Sequence, residues 1–73
     1  PNPFTFFATF SFKFELQNAK LKLYNGMGQQ VKEESNISGK QFTLLKGDLA
    51  NGIYFYKFNQ NRKTVSAGKI IIE

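Results

Sequence analysis

One stretch, residues 47–58, restricts the rest of the chain more than any other: it reads Gly-Asp-Leu-Ala-Asn-Gly-Ile-Tyr-Phe-Tyr-Lys-Phe. Asp48-Leu49-Ala50-Asn51-Gly52 has the composition of a turn, and a run of alternating β-formers follows it. In that run Tyr54, Tyr56 and Phe58 share one face, while Ile53, Phe55, Lys57 and Asn59 share the other. Aromatics on both faces predict a central strand with little face given wholly to water. Tyr54 comes two residues after Gly52. A buried phenol needs a hydrogen-bond partner, because an unpaired hydroxyl costs about 1–3 kcal/mol. The spacing therefore predicts a tyrosine corner, in which the hydroxyl bonds back to the backbone of the turn.

With 73 residues the chain is one domain, residues 1–73, near the lower limit for a self-sufficient core. Having no Cys, it can form neither a disulfide nor a thiolate metal site, so nine Phe and three Tyr must supply the stabilisation. Without His it lacks the commonest general base and the usual nitrogen ligand, and no Ser has a His to activate it. Its five acids are scattered. The expectation is a non-enzyme without cofactor or metal. The net charge of +5 is a modest bias toward acidic partners. Because the Lys residues fall mostly at outward strand positions, a solvated β-surface explains them better than a nucleic-acid stripe, and no nucleic-acid partner is expected. No apolar run approaches the ~18 residues a transmembrane segment needs. The start, Pro1-Asn2-Pro3-Phe4, lacks the basic and apolar regions of a signal peptide and reads as the edge of a domain cut from a longer protein.

Along the chain, Pro1-Asn2-Pro3 bars a helix, and Phe4 with Phe6 or Phe7 suggests a short first strand. Phe10, Phe12, Phe14 and Leu16 then point one way, with Thr9, Ser11, Lys13 and Glu15 opposite. Aromatics interleaved with Lys also suit a base-stacking platform. The charges are excluded from the Phe face, however, and a core is the better reading. Gln17-Asn18 reads as a turn, after which Ala19, Leu21 and Leu23 face inward and Lys20, Lys22 and Tyr24 outward. Asn25-Gly26-Met27-Gly28 is a turn whose glycines supply positive φ. No helical pattern follows it, so it is not a phosphate loop. Residues 29–34, with Val31 their only strong apolar side chain, read as a guarded edge strand. Residues 35–39 read as a polar, mobile loop containing a formal Asn-Ile-Ser glycosylation triplet. Residues 40–45 form a strand with Phe42 and Leu44 inward, and residues 59–63 turn the chain again. In the last strand Val65 and Ala67 differ in parity from Ile70 and Ile72, which predicts a β-bulge at Gly68, with Lys69 and Ile71 outward. About seven short strands without a helix indicate an all-β fold, and the tyrosine corner selects an immunoglobulin-like antiparallel β-sandwich.

Four segments, taken in order, resemble the C-terminal sorting domain of proteins exported by the type IX (Por) secretion system of Bacteroidota. Pro1-Asn2-Pro3-Phe4 matches its opening box. Residues 23–31 match its hydrophobic-Tyr-Asp/Asn-x-x-Gly-x-x-Val segment through Gly28 and Val31. Leu49, Gly52 and Tyr54 match its Leu-x-x-Gly-x-Tyr corner, and Lys69-Ile70-Ile71-Ile72 its closing Lys and hydrophobic triplet. Asn59-Gln60-Asn61-Arg62 departs from the Gly-containing turn that members often carry.

The resemblance implies a folded address label at the C-terminus of a secreted cargo. Such a label passes through the periplasm, is recognised by the outer-membrane translocon, and is usually cleaved by a surface sortase. The implied partners are translocon and sortase components and a covalently linked N-terminal cargo, and the implied destination is the cell surface or the medium. Lys69, Ile70, Ile71, Ile72 and Glu73 are the candidate recognition residues, offering a sheet edge and a chain end for strand addition. The alternative is a carbohydrate-binding or adhesive module of a surface hydrolase, with Tyr24 and Phe55 as stacking faces. A single-strand nucleic-acid binder is a third reading, which would require outward Phe rings.

Overall fold

The computed structural model describes residues 7–73, so the opening Pro1-Asn2-Pro3 box and the strand expected at Phe4 and Phe6 lie outside the described residues. The described chain is all-β. Its strands are β1 (Phe7–Tyr24), β2 (Gln30–Leu45), β3 (Gly52–Gln60) and β4 (Lys63–Ile72). They form one antiparallel sheet in the order β2-β1-β3-β4. The segments expected as separate short strands are thus joined into four, two of them long.

Length shows that the long strands are not straight. At ~3.3 Å per residue an 18-residue strand reaches about 60 Å, whereas the longest dimension of the molecule is 30 Å. The bend lies where β1 advances from Ser11 to Leu16 while its partner advances only from Gln41 to Gly39. Further register shifts follow at Ala19 and Leu21. Surplus residues on one strand twist and kink a ribbon. Asn18 (φ 51°), Asn36 (φ 58°) and Gly39 (φ 103°) provide the left-handed backbone this needs. The turn expected at Gln17-Asn18 is therefore a bend inside β1. The loop expected at residues 35–39 is a bend inside β2. There Ile37, only 5% exposed, packs opposite Ala19, which keeps the segment in the ladder.

The bend brings the far half of the β1–β2 ribbon over β3. Phe10 lies 4.8 Å from Tyr56 and 5.1 Å from Phe58, ring centre to ring centre; Phe12 lies 5.0 Å and Phe42 6.0 Å from Phe58. Residues 7–11 pair with β2 and not with β3, so these edge-to-face contacts cross the core. Phe58 is the hub, fully buried and ringed by aromatics. Ala8, Phe10 and Leu16 face inward from one half of β1, and Ala19, Leu21 and Leu23 from the other, with the parity change at the bend. Phe14, expected inward, is 43% exposed because it sits where the ribbon turns.

β3 is central, as expected, but its outer face is open: Ile53 is 48% and Phe55 45% exposed. β4 has its bulge, though at a different residue. Phe58 pairs with Ser66 and Asn59 with Thr64, which leaves Val65 as the extra residue and turns Ala67 outward. Gly68 stands in regular register opposite Tyr56. It is needed for space: a Cβ there would lie 2.6 Å from the Tyr56 hydroxyl and 2.9 Å from ring carbons. The sequence pattern revealed the parity change but not which residue absorbs it.

Candidate functional site

The corner forms as its residues require. A turn closes through the Leu49 amide, which donates to the Lys46 carbonyl at 3.0 Å, with Gly47 at φ 53° and Gly52 at φ 153°. The buried Tyr54 donates its hydroxyl to the Ala50 carbonyl at 2.5 Å. Lys46 Nζ donates to Asn51 Oδ1 at 2.9 Å across the same turn. Leu49 packs against the core cluster.

A second local device lies at residues 25–29. The Asn25 side-chain carbonyl accepts from the amides of Met27 (2.9 Å) and Gln29 (3.0 Å). The Asn25 backbone carbonyl accepts from Gly28 at 3.0 Å, and its amide donates to the Gln29 carbonyl at 2.9 Å. Of the two glycines expected to carry positive φ, only Gly28 does, at 83°. Asn25, not singled out from sequence, is the residue that holds this turn. Its signal was present: an Asn three positions before a Gly between two strands is the signature of a side-chain-closed turn. Val31 lies just beyond, 41% exposed, in the irregularity between the Leu23–Lys32 and Tyr24–Gln30 pairs.

The closing segment runs beside the corner in strict register. Gly52 pairs with Ile72, Ile53 with Ile71, Tyr54 with Ile70 and Phe55 with Lys69. Across β3, Tyr56 and Phe55 pair with Leu23 and Tyr24 of the second motif. Three motifs well separated in sequence thus meet at one end of the sheet. Within the last of them Ile70 and Ile72 are core residues, while Lys69 and Glu73 are exposed and Ile71 is half-buried. A partner approaching from outside meets the side chains of Lys69, Ile71 and Glu73 and not those of Ile70 and Ile72.

Among the described residues no group of three or more His, Cys, Asp or Glu could hold a metal ion, and no helix is long and apolar enough to cross a membrane. The stacking faces of the carbohydrate reading are also thin. The half-buried Tyr24 ring has Lys57 Nζ 5.8 Å from its centre, which leaves Phe55 as the widely open ring. A base-stacking platform fares no better, since Phe10 is buried and Phe12 half-buried in the core.

Compared with known families, the chain matches along its whole length, residues 1–73, the family described as the secretion system C-terminal sorting domain. No curated protein and no solved structure matches the chain. Domains of this family are the C-terminal sorting signal for type IX secretion; they mark proteins for the cell surface or extracellular space and are cleaved. Nothing found favours the carbohydrate-binding alternative. A helix-free sheet, a bonded tyrosine corner and three registered motifs accord with that match, and the chain belongs to the family of type IX C-terminal sorting domains.

Proposed function

We propose that the domain, residues 1–73, acts as a non-catalytic folded tag at the end of an N-terminal cargo, read by translocon components and released by a surface sortase. The observation that carries this reading is the family match over all 73 residues. The convergence of the motifs supports a folded signal over a linear one. Leu23 and Tyr24 pair with Tyr56 and Phe55 of β3, and Gly52 and Tyr54 pair with Ile72 and Ile70 of β4, so the outward surface these segments build exists only when the domain is folded. Within the closing segment the tag is read through Lys69, Ile71 and Glu73, while Ile70 and Ile72 hold the strand in place.

The test is a reporter fused ahead of the chain in a type IX-competent bacterium. The parent fusion is expected at the cell surface or in the medium. Deleting residues 69–73 removes two buried isoleucines together with the outward side chains, so it cannot separate folding from recognition. Lys69→Glu with Glu73→Lys leaves the core intact and separates them. Delivery by this variant at the parent level would remove Lys69 and Glu73 from the recognition surface. A parent fusion retained in the periplasm would remove the sorting reading itself.

A further inference from the structure

The outward face that carries Lys69 and Tyr24 extends well beyond the motifs. On the face away from the core, β1, β3 and β4 lie side by side. Tyr24, Phe55 and Lys69 form one cross-strand row, and Lys22, Lys57 and Ala67 the next. Two shallow concavities meet at the Lys22–Lys57 pair. One, of about 560 Å³, is floored by Tyr24, Phe55, Lys57 and Ala67 among others. The other, of about 510 Å³, takes Lys20, Lys22, Asn59, Asn61 and Arg62 into its wall. Ile53 continues the apolar end, exposed to the same degree as Phe55.

The charge of the β3–β4 part of this surface is one-sided. From Leu49 to Ile72 the sequence has no acidic residue, while Lys57, Arg62, Lys63 and Lys69 all fall within it. Glu33 pairs with Lys20 at 3.5 Å, but Lys22, Lys57 and Arg62 have no ion pair among the described residues. Lys22 and Lys57 are direct cross-strand partners. Like charges placed opposite each other destabilise a sheet, but Lys22 also stands opposite Glu33 on its other side and Lys57 Nζ lies 5.8 Å from the centre of the Tyr24 ring, so each cation has one favourable neighbour as well. Adjacent cations beside an open Phe and an open Ile have the layout of an interface: an apolar centre with charges that steer the approach.

We propose that this outer face of β1–β3–β4, centred on Phe55 and the Lys22–Lys57 pair, docks on an acidic protein surface of the export machinery. The proposal rests on the sorting reading above and extends the contact surface from Lys69 and Ile71, which share this face, across β3 to β1. A protein fits better than an anionic glycan because the open apolar groups are an aliphatic side chain and a single ring. Sugar faces call for flat aromatic platforms, whereas Ile53 complements another side chain.

The test uses the same reporter fusion with three variants. Lys22→Gln with Lys57→Gln removes both cations without touching the core, so the purified fusion should melt close to the parent, yet its export should fall by about tenfold or more as steering is lost. Phe55→Ser should lower export without unfolding the domain, its ring being open on the outer side. Ser11→Glu, on the far half of β1, should be exported like the parent. If the Gln pair and Phe55→Ser melt and travel like the parent, the docking face is wrong while the sorting reading stands. A parent fusion that is not exported removes both. If the Gln pair loses retention on a polygalacturonate column but is exported normally, the face belongs to an anionic glycan and the protein partner is overturned.

Discussion

The backbone changes direction in two physically different ways. At the corner end, groups that leave the ladder are satisfied within a few residues: Asn25 serves Met27 and Gln29, Tyr54 serves Ala50, and Lys46 reaches Asn51. At the bend of β1 the partners are remote. The Gln17 amide donates to Gln60 Oε1 at 2.7 Å and the Asn18 amide to Ser38 Oγ at 3.2 Å, across 43 and 20 positions of sequence. The corner can close as soon as its own residues meet. The bend closes only once β2 and β3 stand beside β1, and its bonds carry the loop-closure entropy of the whole fold. One region's bonds are local, and the other's depend on the assembled sheet.

The most damaging way to break this contrast is to remove the ring that both regions share. Phe58 touches Phe10 and Phe12 from the far half of β1 and Tyr56 beside the corner. Phe58→Ala should lose about 3–5 kcal/mol, against a total of roughly 4–11 kcal/mol for a domain of this size. Urea denaturation followed by circular dichroism should show a largely unfolded chain; a loss under ~1 kcal/mol would mean that another contact holds the two halves together. Next comes Gly68→Ala, which drives a methyl into the Tyr56 ring packed on Phe10. We expect a loss of about 1–3 kcal/mol that shrinks in a Tyr56→Leu background. Equal losses in both backgrounds would refute the steric account.

The same contrast explains what the sequence made legible. Tyr54, Gly28 and the turn within residues 59–63 were readable because each carries its own partner or backbone requirement within a few positions. The inward set of β3 and of residues 19–23 followed from simple alternation. Whether residues 17–18 and 35–39 end strands or bend them was not readable, because Asn18 and Gly39 suit either outcome. What decides is Ile37 finding Ala19 and Gln60 finding Gln17, which are tertiary events. The bulge followed the same rule: parity showed that one residue was extra, while the fit of Tyr56 over Gly68 fixed Gly68 in register and left Val65 to absorb it. The outward cations were seen as a solvated surface, since only pairing across strands places Lys22 against Lys57.

A paired substitution sharpens the comparison directly. Tyr54→Phe removes one part-buried hydrogen bond at the corner and should lose about 1 kcal/mol, or roughly 4–8 °C in melting temperature for a domain of this length. Gln60→Ala removes the bond to Gln17 at the bend, which is exposed, so water replaces the lost acceptor. Its effect should stay within about 0.5 kcal/mol. If Gln60→Ala proved the more damaging in a thermal melt, the bend and not the corner would be the better-bonded region.

The smallest effect tests a local turn whose chemistry is imperfect. β3 and β4 join through Asn61 (φ 52°) and Arg62 (φ 65°), between the paired Gln60 and Lys63. Positive φ at both central residues is the hairpin geometry that favours Asn followed by Gly. Asn tolerates its position, but Arg carries a Cβ penalty of about 1–2 kcal/mol there. Glycine removes the penalty and gives back part of the gain through its greater freedom in the unfolded chain, about 0.5–1 kcal/mol. Arg62→Gly should therefore stabilise by about 0.5 kcal/mol, raising the melting temperature by roughly 2–4 °C. The increase should be the same in the Gln60→Ala background if the turn closes independently of the bend. A gain that vanished there would show that the Gln60–Gln17 bond, and not the turn, sets the end of β3.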